Sequence, residues 1–514
     1  MAFFPHDEIP PQSLSTTLAT FLSHHESTTS FIGAGTATRE TKAAFVRTLL
    51  AAVESGGDQV VVKALTCLRI LSREPNGCQD LFLRQGICAL LKQAHLTASG
   101  SAYTETPVVV EALKCLCNVL LQHPPARGTV RESGGVGVIA RILKEQNTAL
   151  PPDSQFLFLR LLFLLTVDDQ TTVAELVDPA VDLPATLVTL MHRPSGTDIK
   201  APPAALLSEI MKTIYNLMSV GQTTVPQRNS GTQMVVTLAN TEVDMEWVAK
   251  FQNLLPEIIN LLLSCDATLP LSPPLSHTIH TLLNFPLTPY RSVFTDARGS
   301  ELVQRLCAIL GRTLGSENPR SASPTTTNLD EVVPPLIIVL SGIARQDLAA
   351  REEMRRILLP DDIDRSKPLD QGTSITSQLI AFMTALAVPN VRESVCDLIF
   401  VLSDENAEKL VKYTGYGHAA GFLYAKGLLS APTGSGGGGG GGGDHAPIVV
   451  GGRPHYATNV DPITGEYEKH AAGENDWDGM TEAEKEEEAE KLMVLFQRLN
   501  KTGVIKAVVP GMQE

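Results

Sequence analysis

The few residues that could carry out chemistry are spaced in ways that favour structural roles. The glycines of residues 415–421 are spaced like a nucleotide-binding loop, but such a loop follows a buried strand, and residues 405–413 are predicted to be helical. A helix break at Gly415 is therefore the preferred interpretation. His277 and His280 have the spacing of two metal ligands on one helix, but no third ligand is evident. The sequence thus predicts no catalytic residue, no metal site and no cofactor.

Polar residues inside apolar helices are more informative. Arg69 and Arg73 lie four residues apart and project from one helix face, and Asn118 lies in the equivalent part of the next unit. Asn is disfavoured inside helices, but its amide could bond the backbone of a bound peptide, and an Arg fork suits a carboxylate. The alternative is that the arginines are solvated and that Asn118 caps a neighbouring turn. A second basic cluster, taken alone, is predicted to be a solvated helix face, and its members are Arg345, Arg351, Arg355 and Arg356.

The helices that must position these residues form repeats. Residues 61–74 align with residues 109–122 at a shift of 48, and Gly86 aligns with Gly134 before a further apolar run. A helix, a glycine and another helix at a period in the forties are typical of armadillo or HEAT arrays, whose units stack into a superhelix. The series continues through more divergent runs at 156–167, 203–220, 254–265, 275–284, 302–314, 334–345 and 391–402. The sequence therefore predicts an all-α, armadillo/HEAT-like helical repeat superhelix, with surface loops at 221–233 and 315–328.

Composition limits the class of protein. The chain has 514 residues and a net charge of -15, which argues against a nucleic-acid groove or an anionic membrane surface as the main partner. The eight cysteines form no CxxC pair and are interpreted as reduced, buried thiols. The N-terminus lacks the features of a signal peptide, and the most apolar run, at 156–166, is too short to span a bilayer. We therefore expect a cytoplasmic protein.

Three segments are predicted along the chain. The repeat body spans residues 1–429, a Gly-rich flexible linker spans 430–460, and a C-terminal partner-binding segment spans 461–514. A helix is predicted at about residues 481–500, because its first residues fit a capping box. One apolar stripe lies on this helix, and it consists of Leu492, Leu495, Phe496 and Leu499. An isolated helix this short is marginal in water, so the stripe must be covered either by the repeat body or by a partner.

Five blocks of sequence carry a resemblance to a known family. They are residues 67–74, 112–122 and 391–421 of the body and residues 461–465 and 479–505 of the tail. The strings KYTGYGHAAG and MTEAEK within these blocks are highly specific. On this basis the chain resembles the synembryn family, cytosolic proteins that act on heterotrimeric G-protein α subunits (Gα).

The resemblance implies a guanine nucleotide exchange factor that is also a folding chaperone for Gα. The family's concave groove holds the C-terminal helix of Gα, which releases GDP and leaves a nucleotide-free complex until GTP binds. Such exchange is differential binding of a conformational state and needs no bond-making chemistry. The expected partner is thus GDP-bound or nucleotide-free Gα, with no nucleic acid and no direct membrane insertion. The protein would meet the plasma membrane peripherally, through Gα.

The resemblance also implies which residues bind the partner. Arg69, Arg73 and Asn118 match the family's groove, and Arg345 and Arg351 match its second basic patch. The apolar stripe of the tail resembles the family segment that packs against the nucleotide-binding face of Gα. The linker departs from the family, because glycines stand where animal members have acidic, phosphorylatable residues. This departure puts regulation by linker phosphorylation in doubt.

A protein of another functional class could be built from the same helical repeats. An armadillo-type scaffold or transport adaptor would bind its partner without exchange activity. Nuclear-import adaptors carry ladders of Trp and Asn on successive inner helices, whereas Trp247 and Trp477 are the only tryptophans and lie in no such ladder. A scaffold without exchange activity is therefore the stronger alternative.

Overall fold

The computed structural model describes residues 4–5, 9–10, 12–32, 34–98, 103–146, 149–192, 203–219, 245–265, 271–286, 297–317 and 328–428. Within these ranges every regular element is an α-helix, which confirms the predicted all-α class. The predicted linker at 430–460, the segment at 461–514 with its helix at 481–500, and nearly all of the two predicted loops lie outside the described residues.

The helices follow one another closely along the chain. The first eleven are α1 (Leu14–His25), α2 (Arg39–Ser55), α3 (Asp58–Leu71), α4 (Gln79–Phe82), α5 (Arg84–Gln93), α6 (Pro107–Gln122), α7 (Ala126–Glu132), α8 (Gly135–Gln146), α9 (Pro152–Thr166), α10 (Gln170–Val177) and α11 (Leu183–Met191). The rest are α12 (Ala204–Ser219), α13 (Met245–Ala249), α14 (Leu254–Ser264), α15 (Leu275–Leu282), α16 (Ala297–Gly315), α17 (Leu329–Gln346), α18 (Leu348–Leu358), α19 (Ile375–Phe382), α20 (Pro389–Leu402), α21 (Ala407–Thr414) and α22 (Tyr416–Ala425). None of these helices combines the length and apolarity that a bilayer span requires.

Local sequence explains where the helices begin and what they bury. Thr106 caps α6 by accepting a hydrogen bond from the Val109 backbone N–H at 3.3 Å, and Pro107 occupies the first turn, where its missing N–H costs nothing. The apolar residues of α6 then fall at helical spacing and are buried. They are Val109, Ala112, Leu113, Leu116, Val119 and Leu120.

The helices stack in two columns, in which successive members are three described helices apart except at the steps from α14 to α16 and from α15 to α17. In one column, named here the α3 column, each helix contacts the next in the order α3, α6, α9, α12, α15, α17 and α20. In the second column α2 contacts α5, and contacts also run through α8, α11, α14, α16 and α19. A period of three helices with two stacked columns is an armadillo-type arrangement. The predicted helical repeat superhelix is thereby confirmed.

A buried ion pair fixes the N-terminal end of the α3 column. The Lys42 side chain is fully buried, and its Nζ donates to the Glu74 carbonyl at 2.6 Å and to Glu74 Oε2 at 3.2 Å. The same carboxylate accepts hydrogen bonds from the backbone N–H groups of Phe31 and Ile32. Burial raises the pKa of Glu74, but these hydrogen bonds and Lys42 outweigh burial and lower it to about 2. The pair therefore ties the loop after α1 to the end of α3.

A glycine break and three polar contacts close the last repeat. Gly415 has a φ of 75° and separates α21 from α22, which confirms the predicted helix break. Tyr413, just before it, donates to Asp361 Oδ1 at 3.0 Å. Arg365 donates to the Lys412 carbonyl at 2.7 Å, and His418 Nε2 lies 3.8 Å from Asp370 Oδ2. The string KYTGYGHAAG therefore holds the loop between α18 and α19 against the end of the array.

Candidate functional site

Arg69 lies on α3 and forms part of a charged group shared with α6. Its Nε donates to Glu111 Oε2 at 2.9 Å, and Lys114 Nζ donates to Glu111 Oε1 at 2.7 Å from one turn further along α6. Burial opposes ionisation of Glu111, but Lys114 and Arg69 outweigh it and lower the pKa of this carboxyl. A cleft of about 410 Å³ opens beside Glu111 and Lys114. Two half-buried cations and one carboxylate thus face the junction of α3 and α6.

Arg73 lies one turn further along and contacts the loop after α1. One guanidinium nitrogen donates to the carbonyls of Glu26 and Thr28, each at 2.9 Å. Burial and the neighbouring charge of Arg69 lower the pKa of Arg73. Because both carbonyls lie at the end of α1, this contact gives Arg73 a structural role in addition to its predicted binding role.

Asn118 connects neighbouring helices of the α3 column. Its Nδ2 donates to the Arg69 carbonyl at 3.0 Å and to Ser72 Oγ at 3.4 Å. The amide nitrogen therefore caps the end of the preceding helix, as the structural alternative predicted. The carboxamide oxygen accepts no hydrogen bond from the residues described around it. That oxygen is the atom with which Asn118 could bind a partner backbone, and its binding role stays a prediction.

The same polar pattern recurs on α12, where the sequence reasoning did not find it. Glu209 Oε1 accepts from Arg160 of α9 at 3.1 Å and from Lys212 Nζ at 2.5 Å. Asn216 Nδ2 donates to the Phe163 carbonyl and to Thr166 Oγ1, each at 3.0 Å. The signal was present as the spacing Glu-x2-Lys-x3-Asn, which occurs in EALKCLCN at 111–118 and in EIMKTIYN at 209–216.

A third asparagine extends this series to α15. Asn284 Nδ2 donates to the Tyr215 carbonyl of α12 at 2.9 Å. Asn118, Asn216 and Asn284 therefore form an asparagine ladder along the α3 column, in which each amide nitrogen bonds the preceding helix of that column. The ladder as a whole was also missed, because Asn216 and Asn284 lie in divergent segments of the sequence.

The second basic patch is tied into ion pairs between helices. Arg345 of α17 contacts both carboxylate oxygens of Asp397 at 3.0 and 2.9 Å and Glu405 at 3.0 Å. Arg351 Nε lies 3.4 Å from Asp404 Oδ1. The same Asp404 also contacts two further cations, Arg355 and Lys409. The prediction of a solvated helix face was wrong for Arg345, Arg351 and Arg355, because α20 and the turn after it bring three carboxylates to them. Arg356 is exposed, as predicted.

The histidine pair does not form part of a metal site in the described ranges. His280 Nδ1 lies 2.9 Å from the Ser276 carbonyl of its own helix. Burial, together with Lys212 and His280, lowers the pKa of His277. Within the described ranges, no group of three or more His, Cys, Asp or Glu side chains could hold a metal ion.

The predicted partner-binding residues that the structure describes form two separate groups. Arg69, Arg73 and Asn118 come together where α3 meets α6, whereas Arg345 and Arg351 lie on α17 and α18. The four residues of the apolar stripe, Leu492, Leu495, Phe496 and Leu499, lie outside the described residues.

Several known proteins are similar to this chain. Chaperone Ric-8A of Pongo abelii is 30% identical over 468 residues, which cover 86% of this chain and 81% of that protein. Chaperone Ric-8A of Xenopus tropicalis is 30% identical over 474 residues with the same coverage. A solved chain from a study of the interaction between cadherin and beta-catenin overlaps with 82% of this chain and 69% of its own length, at 13% identity and a TM-score of 0.45. At this sequence identity and TM-score, the solved structure supports no conclusion about function.

The family comparison covers most of the chain. A family model described as guanine nucleotide exchange factor synembryn matches residues 64–514. The match includes the helices that carry Arg69 and Asn118 and continues through the tail. It agrees with the family resemblance noted in the sequence and with the Ric-8A relatives. The chain therefore belongs to the synembryn family of guanine nucleotide exchange factors.

Proposed function

We propose that the protein is a guanine nucleotide exchange factor and folding chaperone for heterotrimeric Gα subunits. The family match over residues 64–514 carries this proposal. The chaperone activity is proposed because the relatives are named as chaperones. The function requires a surface that binds a protein segment, and the α3 column offers half-buried cations and a free amide oxygen.

The C-terminal helix of Gα is proposed to bind along the α3 column. Its terminal carboxylate would meet Arg69, whose guanidinium provides a planar fork suited to that group. Lys114 lies beside Arg69 on the other oxygen of Glu111 and adds a second positive charge. The Asn118 oxygen would accept a hydrogen bond from the ligand backbone. Arg73 is proposed to contribute its remaining guanidinium nitrogens.

Exchange would follow from binding one conformation of Gα more tightly than another. A Gα whose C-terminal helix lies in the α3 column has lost that helix from its own domain, which loosens its GDP site. Such a mechanism needs no bond-making chemistry and no cofactor in the exchange factor. The nucleotide-free Gα stays bound to the exchange factor until GTP binds to Gα and restores its closed conformation.

The other predicted sites are given supporting roles. Arg345 and Arg351 would contact Gα at the far end of the array, after exchange of partners with Asp397 and Asp404. The tail stripe at 492–499 would pack on the nucleotide-binding face of Gα, through a linker that sets its reach. The protein would act in the cytoplasm and meet the plasma membrane through Gα.

A scaffold or transport adaptor without exchange activity is the second candidate. The asparagine ladder favours it, because an array of amides can hold an extended peptide. The nitrogens of the ladder are already bonded to the preceding helices, so they are not available to hold such a peptide. We therefore prefer the exchange factor.

The two candidates are separated by mixing the protein with purified Gα bound to fluorescent GDP. The exchange factor predicts accelerated GDP release and a stable nucleotide-free complex that GTP dissociates. A scaffold predicts a complex in which GDP is retained at the spontaneous rate. Complex formation without acceleration would therefore reject the proposed function.

A further inference from the structure

Two charged groups on the α3 column have the same composition. The first triad consists of Arg69, Glu111 and Lys114, and the second triad consists of Arg160, Glu209 and Lys212. Each contains one carboxylate that bridges an arginine of the preceding helix and a lysine three residues later. Each triad therefore carries a net charge of about +1, in a chain whose net charge is -15.

The asparagine contacts show that the two triads occupy equivalent places in their repeats. Asn118 bonds the Arg69 carbonyl and the hydroxyl three residues after it, on Ser72. Asn216 bonds the Phe163 carbonyl and the hydroxyl three residues after it, on Thr166. Because each asparagine follows its triad glutamate by seven residues, the two glutamates and the two lysines are structurally matched.

One substitution distinguishes the triads. Phe163 stands where the first triad has Arg69, and Arg160 reaches Glu209 from one turn earlier. Lys212 Nζ lies 4.7 Å and the Arg160 guanidinium 5.7 Å from the centre of the Phe163 ring. The ring therefore holds both cations of the second triad by cation–π contact, without removing their charge.

The glutamate of the second triad is incompletely bonded. Its side chain is only 4% exposed, and both cations bond Oε1. Oε2 is buried and accepts no hydrogen bond from the residues that the structure describes. The Arg160 and Lys212 side chains remain 28% and 20% exposed, so a ligand can still reach them.

We propose that the second triad is a further carboxylate-binding subsite, and that the α3 column binds one peptide ligand through a carboxylate at each triad. In the free protein Glu111 and Glu209 hold the cations in place and compete with the carboxylates of the ligand. The inference rests on the proposed function, since it names the ligand chemistry of the same face. A ligand carboxylate at either triad shares its cations with the resident glutamate, and the two like charges repel one another.

The geometry of the column sets the spacing of the two carboxylates. The triad glutamates lie on α6 and α12, two steps apart in the column, and packed helices are about 8–10 Å apart. The subsites are therefore separated by roughly 16–20 Å. That distance corresponds to about 11–13 residues of helical ligand or about 5–6 residues of extended ligand.

The test compares Glu111→Gln and Glu209→Gln with the matched control Glu132→Gln. Gln keeps the shape and one acceptor oxygen, and the control removes the same charge from an exposed pair with Arg84. The probe is a fluorescein-labelled peptide of the Gα C-terminal helix, and anisotropy reports its affinity. Each triad variant should bind about three- to tenfold more tightly, because one nearby, partly screened negative charge is removed. The control should leave the affinity unchanged.

Lys212→Gln tests the second subsite independently, in case Glu209→Gln fails to fold. It should weaken peptide binding by about tenfold if Lys212 contacts a ligand carboxylate. Unchanged or weaker binding by folded Glu209→Gln, or unchanged binding by folded Lys212→Gln, would overturn the second subsite.

A second probe separates this inference from the proposed function. It is an alanine-based peptide with a free terminal carboxylate and one Glu placed at the helical or the extended spacing given above. Tighter binding of this probe by the triad variants, with no binding of Gα by the wild type, would reject the Gα function and keep the subsites. If the wild type catalyses exchange on Gα normally and neither triad variant binds the peptides more tightly, the Gα function is kept and the subsites are rejected.

Discussion

At the scale of single residues, Arg69 joins the fold to the proposed binding face. Its carbonyl accepts a hydrogen bond from Asn118, while its guanidinium pairs with Glu111 and remains partly open to solvent. The backbone contact does not depend on the side chain. Arg69 can therefore be altered with little change to the asparagine ladder, which makes it a better probe of binding than Arg73, whose side chain caps α1.

Arg69→Ala should weaken binding of Gα by about 1.5–3 kcal/mol, because it removes a charge-assisted hydrogen bond to the ligand. Affinity is measured by titration of Gα, and folding is checked by thermal melting. The matched control is Arg84→Ala, which removes an arginine from an exposed pair with Glu132. Wild-type affinity in Arg69→Ala would remove this residue from the site.

Glu74 makes the stability of the N-terminal end dependent on pH. Its pKa in the folded protein is about 2, below the ordinary value of 4.5, so ionised Glu74 stabilises the native state above that ordinary value. This contribution should be lost as the pH falls from about 4.5 towards 2. The free energy of unfolding is measured against pH for the wild type and Glu74→Gln. The difference in free energy of unfolding between the wild type and Glu74→Gln should become smaller as the pH falls over this interval. A constant difference would contradict the stabilising role given to ionised Glu74.

At the scale of the elements, polar side chains fix how each helix meets the next. The asparagine ladder ties α6 to α3, α12 to α9 and α15 to α12 near the C-terminal ends of α3, α9 and α12. The break at Gly415 turns the last two helices against one another. These contacts act on helix ends, while apolar burial drives the stacking itself.

Gly415→Ala should destabilise the last repeat by roughly 1–3 kcal/mol, because a φ of 75° with a ψ of 151° is a conformation that side chains with a Cβ rarely adopt. Gly421→Ala is the matched control, since Gly421 lies within α22 and a Cβ there meets nothing within 4 Å. That control should be neutral or stabilising by up to about 1 kcal/mol. Chemical denaturation measures the free energy of unfolding of Gly415→Ala and of Gly421→Ala. Equal values for the two variants would contradict the role given to Gly415.

The sequence predicted the elements better than the contacts between them. The repeat of residues 61–74 at 109–122 was visible because local apolar spacing repeats, and Gly415 was visible because few other residues end a helix in that way. The partners of Arg345 were not visible. Asp397 and Glu405 lie more than fifty residues away along the chain, and only the stacking of α20 against α17 brings them together.

The polar residues of the α3 column were found only in part, for a similar reason. Arg69 and Asn118 stood out in well-repeated segments, whereas Glu209 and Asn216 lie where the repeats diverge. Which group an asparagine bonds depends on the register between two helices. Spacing along one helix does not fix that register, so the capping role of Asn118 and its binding role stood as alternatives.

At the scale of the whole molecule, the proposed activity divides between the repeat body and the tail. Truncation after Leu429 should leave a folded helical body that still binds the isolated C-terminal peptide of Gα. It should lose much of the exchange and chaperone activity, because the stripe at 492–499 is then absent. GDP release and peptide binding are measured on the same preparation.

Leu495→Asp with Phe496→Asp should reproduce the truncation, since charges on the stripe oppose its burial. Thermal melting serves as the control. Loss of GDP release with an unchanged melting curve supports a stripe that faces the partner. A large fall in melting temperature would show instead that the stripe packs on the repeat body.

The most direct test of the account is a double-mutant cycle between Arg69 and the C-terminus of Gα. Arg69→Ala is combined with a Gα that lacks its last residues, and all four dissociation constants are measured. If the Gα carboxylate meets Arg69 on the α3 column, each single change weakens binding and the double change costs little more. The coupling energy should then be about 1–3 kcal/mol. Additive losses, or an unchanged affinity for the truncated Gα, would contradict binding of the Gα C-terminal helix at this site.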